Sequence, residues 1–316
     1  MNGALKRHTS VPRRWTLHGL NTGGIFGFTY HGVRALPRSV SYAIGHVGSA
    51  IVARTQPKST DALVHNLRAI WPDETERFLR RRALEVYRSY TRDVIDFFRA
   101  IDPAEAGIQF DCSTAVVEEA RRLHATGRGV LLMSAHFGNW EAGGLLAREL
   151  NLPLTVVAMR EPNPTVARIR DDIRRRLNIQ TIEVRQSLDT PFQIRAALEA
   201  NRFVAVLVDR HAGRDRIRVS LLGRQAYFLR TPFVMAALTG APLAVCSIVR
   251  AAPARFAATL GPEITATDVT DRDGWIQNAA QTVADQIGAH IMERPECWYH
   301  FYRYWDAQVD NYAGLL

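Results

Sequence analysis

Lysine is almost absent from this 316-residue chain: Lys6 and Lys58 are the only two among 40 basic residues, the rest being arginine. A G+C-rich genome produces the same bias, so this shortage excludes nothing by itself. Cysteine is scarce as well. Cys112, Cys246 and Cys297 are widely spaced, with no Cys-x-x-Cys pair and no Cys/His cluster of metal spacing, which argues against a disulfide framework and a metal site and for a reducing cytoplasm. No uninterrupted apolar run approaches the ~20 residues of a bilayer crossing, and no basic, apolar, small-residue cleavage pattern opens the chain as a signal peptide would. Internal repeats and low-complexity linkers are missing. So are an RNA-binding signature, a helix-turn-helix pattern and a zinc-finger spacing, which argues against nucleic acid as a partner. Ser134 lacks the flanking glycines of a Gly-x-Ser-x-Gly elbow, so a covalent serine mechanism has no support.

What is present fits one enzyme-sized unit. With 47% hydrophobic residues the chain can bury a large core. Its net charge of +9, carried by arginines that bond phosphates in pairs, suits an anionic membrane surface, a phosphorylated lipid or an acidic carrier protein.

Residues 1–14 are polar and basic. Two weakly polar stretches follow, Trp15 to Gly32 and Ser39 to Ala53, the second with Val40, Ile44, Val47 and Ile51 at a helical period. They suit interfacial helices resting among lipid headgroups, with packing on the protein's own core as the open alternative. From Ser59 to about Asp102 the pattern is helical, broken at Trp71-Pro72. The second helix has an arginine-rich side (Arg77, Arg80, Arg81, Arg82) and aromatic and aliphatic residues elsewhere (Tyr87, Tyr90, Ile95, Phe98).

From about Phe110 onward helices alternate with apolar runs of strand character: Val130 to Ala135, Thr155 to Met159, Phe203 to Val208, Leu243 to Val249, and a later strand near Phe256. This alternation implies an α/β fold with a largely parallel central sheet flanked by helices. The aromatic block Trp298 to Trp305 reads as an alternating strand packed on the sheet.

The block His136-Phe-Gly-Asn-Trp-Glu141 is the strongest chemical signal. On one continuous helix the two ionisable side chains would point ~140° apart at ~100° per residue. The glycine-bounded run before His136 reads instead as a buried strand, and the segment from Trp140 as a helix, which places His136 and Glu141 in the crevice where α/β sheets bind ligands. Taken alone, His136 is better explained by packing, and Asn139 with Glu141 are explained by a helix cap and a dipole-matched acid.

The whole string, however, resembles the acyltransferase signature of the lipid A late acyltransferases, the lauroyl and myristoyl transferase family, and of its relatives that acylate phosphatidylinositol mannosides. Further similarity lies at Leu36-Pro37, Asn66-Leu67, Trp71-Pro72, Arg160-Glu-Pro-Asn-Pro164, Arg174, Val206 to Gly213, Ile217 to Gly223, Thr239-Gly-Ala241 and Glu296 to Arg303. The chain differs from the family after the turn aspartate, where Asp209-Arg210 is followed by His211 and Ala212.

The resemblance implies a glycerolipid-acyltransferase-like fold, with residues 1–105 as an N-terminal helical, membrane-docking region and residues 106–316 as the acyltransferase domain. It also implies transfer of a fatty acyl chain from an acyl-acyl-carrier protein or acyl-CoA to a hydroxyl of a lipid A precursor or similar membrane glycolipid, with no cofactor. The expected location is the cytoplasmic face of the bacterial inner membrane, held peripherally or monotopically. A phosphatidylinositol mannoside or a lysophospholipid is the alternative acceptor. A catalytically silent lipid-binding protein is the alternative of another class, opposed by the intact His136, Glu141 and Asp209.

His136 is then the general base, and Glu141 or Asp209 its orienting acid. Backbone N–H groups from Gly138 to Trp140 are expected to hold the oxyanion. Arg160 and Arg174 would assist there or clamp a phosphate, with Arg230 a weaker candidate of the same kind. Asn139 and Arg210 complete the expected substrate-binding set.

Overall fold

The computed structural model describes residues 32–99, 107–159, 161, 163–184, 189–211, 213–266 and 270–306. Three helices open it: α1 (Arg38–Thr55), α2 (Pro57–Leu67) and α3 (Glu76–Arg99). Pro37 precedes α1 and Pro57 opens α2, positions where the missing proline N–H costs no hydrogen bond. The chain then alternates through β1 (Gln109–Asp111), α4 (Thr114–Ala125), β2 (Val130–Ser134), α5 (Gly143–Glu149), β3 (Leu154–Met159), α6 (Pro164–Arg176), β4 (Gln180–Val184), α7 (Asp189–Glu199) and β5 (Phe203–Leu207). It finishes with the hairpin β6 (Ile217–Leu221) and β7 (Arg224–Phe228), then α8 (Thr231–Thr239), β8 (Leu243–Ala252), β9 (Arg255–Leu260) and α9 (Arg272–Glu293).

Seven strands form one sheet in the order β1-β9-β8-β2-β5-β3-β4, and β6 with β7 form a separate antiparallel pair. Pairing is parallel except between β8 and β9. The expected sheet is therefore present, with β1 and β4 added. Both additions escape a hydropathy reading because they are short or half-exposed.

Both sheet faces are covered, as a parallel sheet requires. Leu131 and Met133 of β2 enter the main core with Phe233 of α8 and Ile287 and Ile291 of α9, while Val130 packs with Leu123 of α4 on another cluster. Residues Leu63, Val86 and Tyr87 of α2 and α3 belong to that same main core.

Helix α1 is built the other way round from an ordinary surface helix. Its small residues face inward: Ser41 and Ser49 are buried, Ser49 Oγ lies 3.0 Å from Thr91 Oγ1, and a Cβ added at Gly45 would stand 2.7 Å from the Thr91 methyl. The apolar residues Val40, Ile44, Val47 and Ile51 face outward, with Ile44 58% and Val47 60% exposed. The helical period expected for this stretch is present, and its apolar stripe does not pack on the core. The Trp15 to Gly32 stretch lies outside the described residues except for Gly32. No helix among the described residues is long and apolar enough to cross a membrane.

The C-terminal aromatic block is not a strand. After a short 3-10 turn at Pro295–Cys297 it runs irregularly through the core, its one ladder-type contact with the sheet region among the described residues being an isolated bridge between Phe137 and Trp298. Asn66 pins it in place of a β-ladder: its side chain donates to the carbonyls of His300 and Tyr302 at 2.9 and 2.8 Å and accepts from the Tyr304 N–H at 2.9 Å. Edge-to-face contacts such as Trp298 with Tyr304, at 5.0 Å between ring centroids, complete the packing.

Asp93 and Asp96 of α3 are buried against Arg250 of β8, which bonds both. Removing one partner of such a set leaves unpaired buried charge. Arg250→Met is expected to lower unfolding free energy by about 3–5 kcal/mol, read by urea denaturation at pH 7. A loss below about 1 kcal/mol, within the range of exposed ion pairs, would contradict the cluster's importance.

Candidate functional site

Parallel register builds the site. Ser134 of β2 pairs with Leu207 of β5, so the residues two positions beyond each strand end, His136 and Asp209, arrive side by side. His136 Nδ1 lies 2.8 Å from Asp209 Oδ1, and the His136 backbone N–H donates to Asp209 Oδ2 at 2.9 Å. Side chain and backbone of the histidine are thus held by one carboxylate, which is itself completely buried.

The turn after His136 depends on Gly138. Its φ is +63°, and a Cβ there would lie 2.2 Å from the Ile248 carbonyl oxygen, so only glycine passes. Beyond it, Asn139 accepts from the Ala142 N–H at 3.2 Å and caps a 3-10 turn, Trp140–Ala142, that leads into α5. Glu141 sits in that turn. It does not bond His136; its partner is Arg174 of α6, at 3.7 Å. Of the two acids expected beside the histidine, Asp209 is the one in hydrogen-bond contact.

Asp209 has a second histidine. His300, completely buried in the aromatic block, places Nε2 2.8 Å from Asp209 Oδ2 and Nδ1 2.9 Å from the Tyr302 hydroxyl. Tyr304 adds a hydroxyl bond to the Asp209 carbonyl at 3.0 Å. His300 escaped the sequence reading because it lies inside a run of aromatics, with only its imidazole chemistry to mark it.

The charges follow from these contacts. Burial acts to raise the Asp209 carboxyl, but the charge of His136 and the hydrogen bonds from both histidines hold it well below the usual carboxylate range. Burial pushes the His136 imidazole down, Arg210 adds to that effect, and Asp209 opposes it. Burial pushes His300 down to about 3. Near neutral pH the arrangement is an ionised carboxylate between two neutral imidazoles. With Nδ1 engaged as the donor to Asp209, the His136 Nε2 lone pair is the available base.

His136, Asp209 and His300 also have metal-ligand chemistry, with donor atoms all within 4.8 Å of one another. The two nitrogen–oxygen distances of 2.8 Å are hydrogen bonds, one on each Asp209 oxygen. A zinc ion at ~2.0–2.1 Å from each nitrogen would have to displace both, so the three groups fit a proton-sharing set better than a metal centre.

His136 is among the residues lining a cavity of about 1010 Å³. Its apolar lining runs along the sheet from Ser134 past Leu132 and Ala205 to Phe203, roofed by Leu146 and Ala147 of α5. Ser134 and the position paired with Phe203 are four residues apart along β2, about 13 Å at ~3.3 Å per residue. An apolar lining of this length with a base among its residues suits an aliphatic chain with a reactive head. Glu141, Arg170, Arg174 and Arg210 stand among the lining residues and bring charge to it.

Residues 5–307 match the family described as bacterial lipid A biosynthesis acyltransferase. The chain belongs to this family. It is 24% identical over 285 residues to a phosphatidylinositol mannoside acyltransferase of Mycolicibacterium smegmatis, covering 88% of this chain and 90% of the relative. It is 26% identical over 164 residues to a phosphatidylinositol mannoside acyltransferase of Mycobacterium tuberculosis, covering 51% of each. The protein is an acyltransferase of the class that transfers groups other than amino-acyl groups.

Not every expected site residue of the acyltransferase stands at the cavity. Arg174 and Arg210 line it; the Arg210 guanidinium lies over the Tyr302 ring at 5.3 Å. Asn139 is buried as a cap, its amide donating to the Asp93 carbonyl at 3.3 Å. Arg230 is half-exposed at the start of α8, paired with Asp273 at 3.3 Å and away from the cavity lining. Arg160 lies outside the described residues. The expected backbone oxyanion donors are largely spent: the Gly138 N–H bonds the Cys297 carbonyl at 2.8 Å and the Asn139 N–H bonds the Ile248 carbonyl at 2.7 Å.

Gly138→Ala tests this construction. Positive φ alone costs a non-glycine residue about 1–3 kcal/mol, and the collision with Ile248 displaces the His136 turn. Purified Gly138→Ala is expected to melt lower and to lose most acyltransferase activity; wild-type values for both would contradict the account.

Proposed function

We propose that this acyltransferase moves a fatty acyl chain from an acyl-carrier-protein or CoA thioester to a hydroxyl of a membrane glycolipid, with His136 as general base. The observation that carries the reading is an imidazole oriented by a buried carboxylate among the lining of a cavity with a long apolar side. In the proposed reaction the acyl chain occupies the cavity and the thioester carbonyl stands beside His136. Nε2 takes the acceptor's hydroxyl proton as its oxygen bonds the carbonyl carbon. The carbon–sulfur bond then breaks, and the leaving thiolate takes the proton from Nε2. Asp209 keeps Nδ1 protonated and stabilises the imidazolium that forms. Since the Gly138 and Asn139 N–H groups are engaged, Arg174, held by Glu141, is the better candidate for the oxyanion.

A lipid A precursor and a phosphatidylinositol mannoside both fit this chemistry. The names of both relatives favour the mannoside.

The outward stripe of α1 is assigned to a bilayer, at the cytoplasmic face of the inner membrane. Exposed Arg34, Arg54 and Lys58 flank it and suit anionic headgroups. Lys58, Ser59 and Asp61, just beyond the helix, line the cavity, so an interface there would present lipid acceptors beside it.

His136→Ala is expected to lower transfer by ~10²–10⁴, measured as thioester consumption with each of the two acceptor lipids. Asp209→Asn should cost more than Glu141→Gln, because only the former disturbs the tautomer of His136; the reverse order would reassign the orienting acid. The lowered His136 pKa places the acid limb of kcat/KM below 6.5, since protonation at lower pH removes the Nε2 lone pair. A limb above 7 would contradict a neutral base.

A variant carrying Ile44→Glu and Val47→Glu, both fully on the outward face, should fold normally yet lose co-sedimentation with anionic vesicles while retaining turnover on a short, water-soluble acceptor. Undiminished vesicle binding would place the docking surface elsewhere.

A further inference from the structure

The ion cluster around Arg250 takes no part in the transfer chemistry, yet it stands directly behind the catalytic turn. Asp93 and Asp96 are three residues apart on α3 and so share a face. Arg250 bonds both. On one side, Tyr42 of α1 donates to Asp96 at 2.7 Å and accepts from Arg250 at 2.9 Å, and Arg38 adds a second cation 3.2 Å from Asp96. On the other, the Tyr299 hydroxyl donates to Asp93 at 2.5 Å, while the Tyr299 backbone N–H donates to the His136 carbonyl at 2.8 Å. The Asp93 carbonyl also receives the Asn139 amide. A continuous series of polar contacts thus runs from Tyr42 through Asp96, Arg250, Asp93 and Tyr299 to His136.

The carboxylates of Asp93 and Asp96 face the guanidinium groups of Arg250 and Arg38, with the charge of Arg99 also acting on Asp96. In a buried setting each member's position depends on the others, because an unmatched charge there is costly. Tyr42 is the member that bonds an acid and the arginine at once, and it comes from the helix with the outward apolar stripe. Ser49, two turns along the same helix, packs on α3 without touching the cluster.

We propose that Tyr42 is a positioning residue for His136, acting through the Asp96–Arg250–Asp93 cluster and Tyr299. The site at the sheet edge is then sensitive to how α1 is seated. This rests on His136 being the base, but the geometry it predicts can be read without turnover.

The test is hydrogen exchange on the full chain carrying Tyr42→Phe, which removes the hydroxyl and keeps the ring. The amides of Gly138 and Asn139 are expected to exchange about tenfold faster, the scale of coupling through packed networks, while amides of β5 and α9 keep their wild-type rates. On a soluble acceptor kcat should fall with KM unchanged, and the double variant with Tyr299→Phe should be no slower than Tyr299→Phe alone, the non-additivity expected of linked groups. Ser49→Ala should leave Gly138 and Asn139 unaltered. Unchanged exchange in Tyr42→Phe, faster exchange spread over β5 and α9, or the same response to Ser49→Ala would each overturn the proposal. If no acceptor supports turnover even in the wild type, the exchange result still decides this inference, and the transfer reading fails separately.

Discussion

One hydrogen-bonded pair, His136 with Asp209, sets the terms for the rest of the molecule. A carboxylate that accepts from a side-chain imidazole, a backbone N–H and a second imidazole has partners on both oxygens, and its burial depends on them. The register of β2 with β5 brings the two residues together. The glycine turn at Gly138 lets the chain leave His136 without colliding with β8. The C-terminal aromatic block supplies His300 and is itself fastened by Asn66 from the opposite end of the sequence. Distant segments converge on one carboxylate, and each is needed for its burial to be stable.

The same logic separates two kinds of apolar surface. Around the cavity, apolar residues of the sheet and of α5 face inward as lining. On α1 they face outward, while serines and a glycine make the close contact with α3. Burying small residues and exposing branched ones is unfavourable for a helix in water alone. It becomes intelligible if the outward face meets an apolar phase, as the proposed docking has it.

Much of this was legible in the residues. The strands around Val130, Thr155, Phe203 and Leu243 declared themselves through apolar runs between helical patterns, and His136 and Asp209 through their positions just beyond two of those runs. Which acid serves the histidine was not legible, because it depends on the register between strands 73 positions apart in sequence rather than on spacing within the signature. Glu141 is the nearer in sequence and turns instead to Arg174. Arg230 looked like a ligand group by composition and stands in a surface ion pair. The aromatic block suggested a strand by alternation, yet its backbone is satisfied by Asn66 and by the turn at His136 and its rings pack on one another, a tertiary solution that periodicity does not encode. The α1 stripe had the right period, but a period alone does not tell which side faces the core.

The protonation state of His136 tests the central claim most directly. Nitrogen NMR of the imidazole rings at pH 7, with His136 assigned by difference from His136→Gln, should show a neutral ring protonated at Nδ1. That tautomer leaves Nε2 free to accept a proton from the acceptor hydroxyl. A ring protonated at Nε2, or a fully charged imidazolium, would leave no base facing the cavity and would contradict the account.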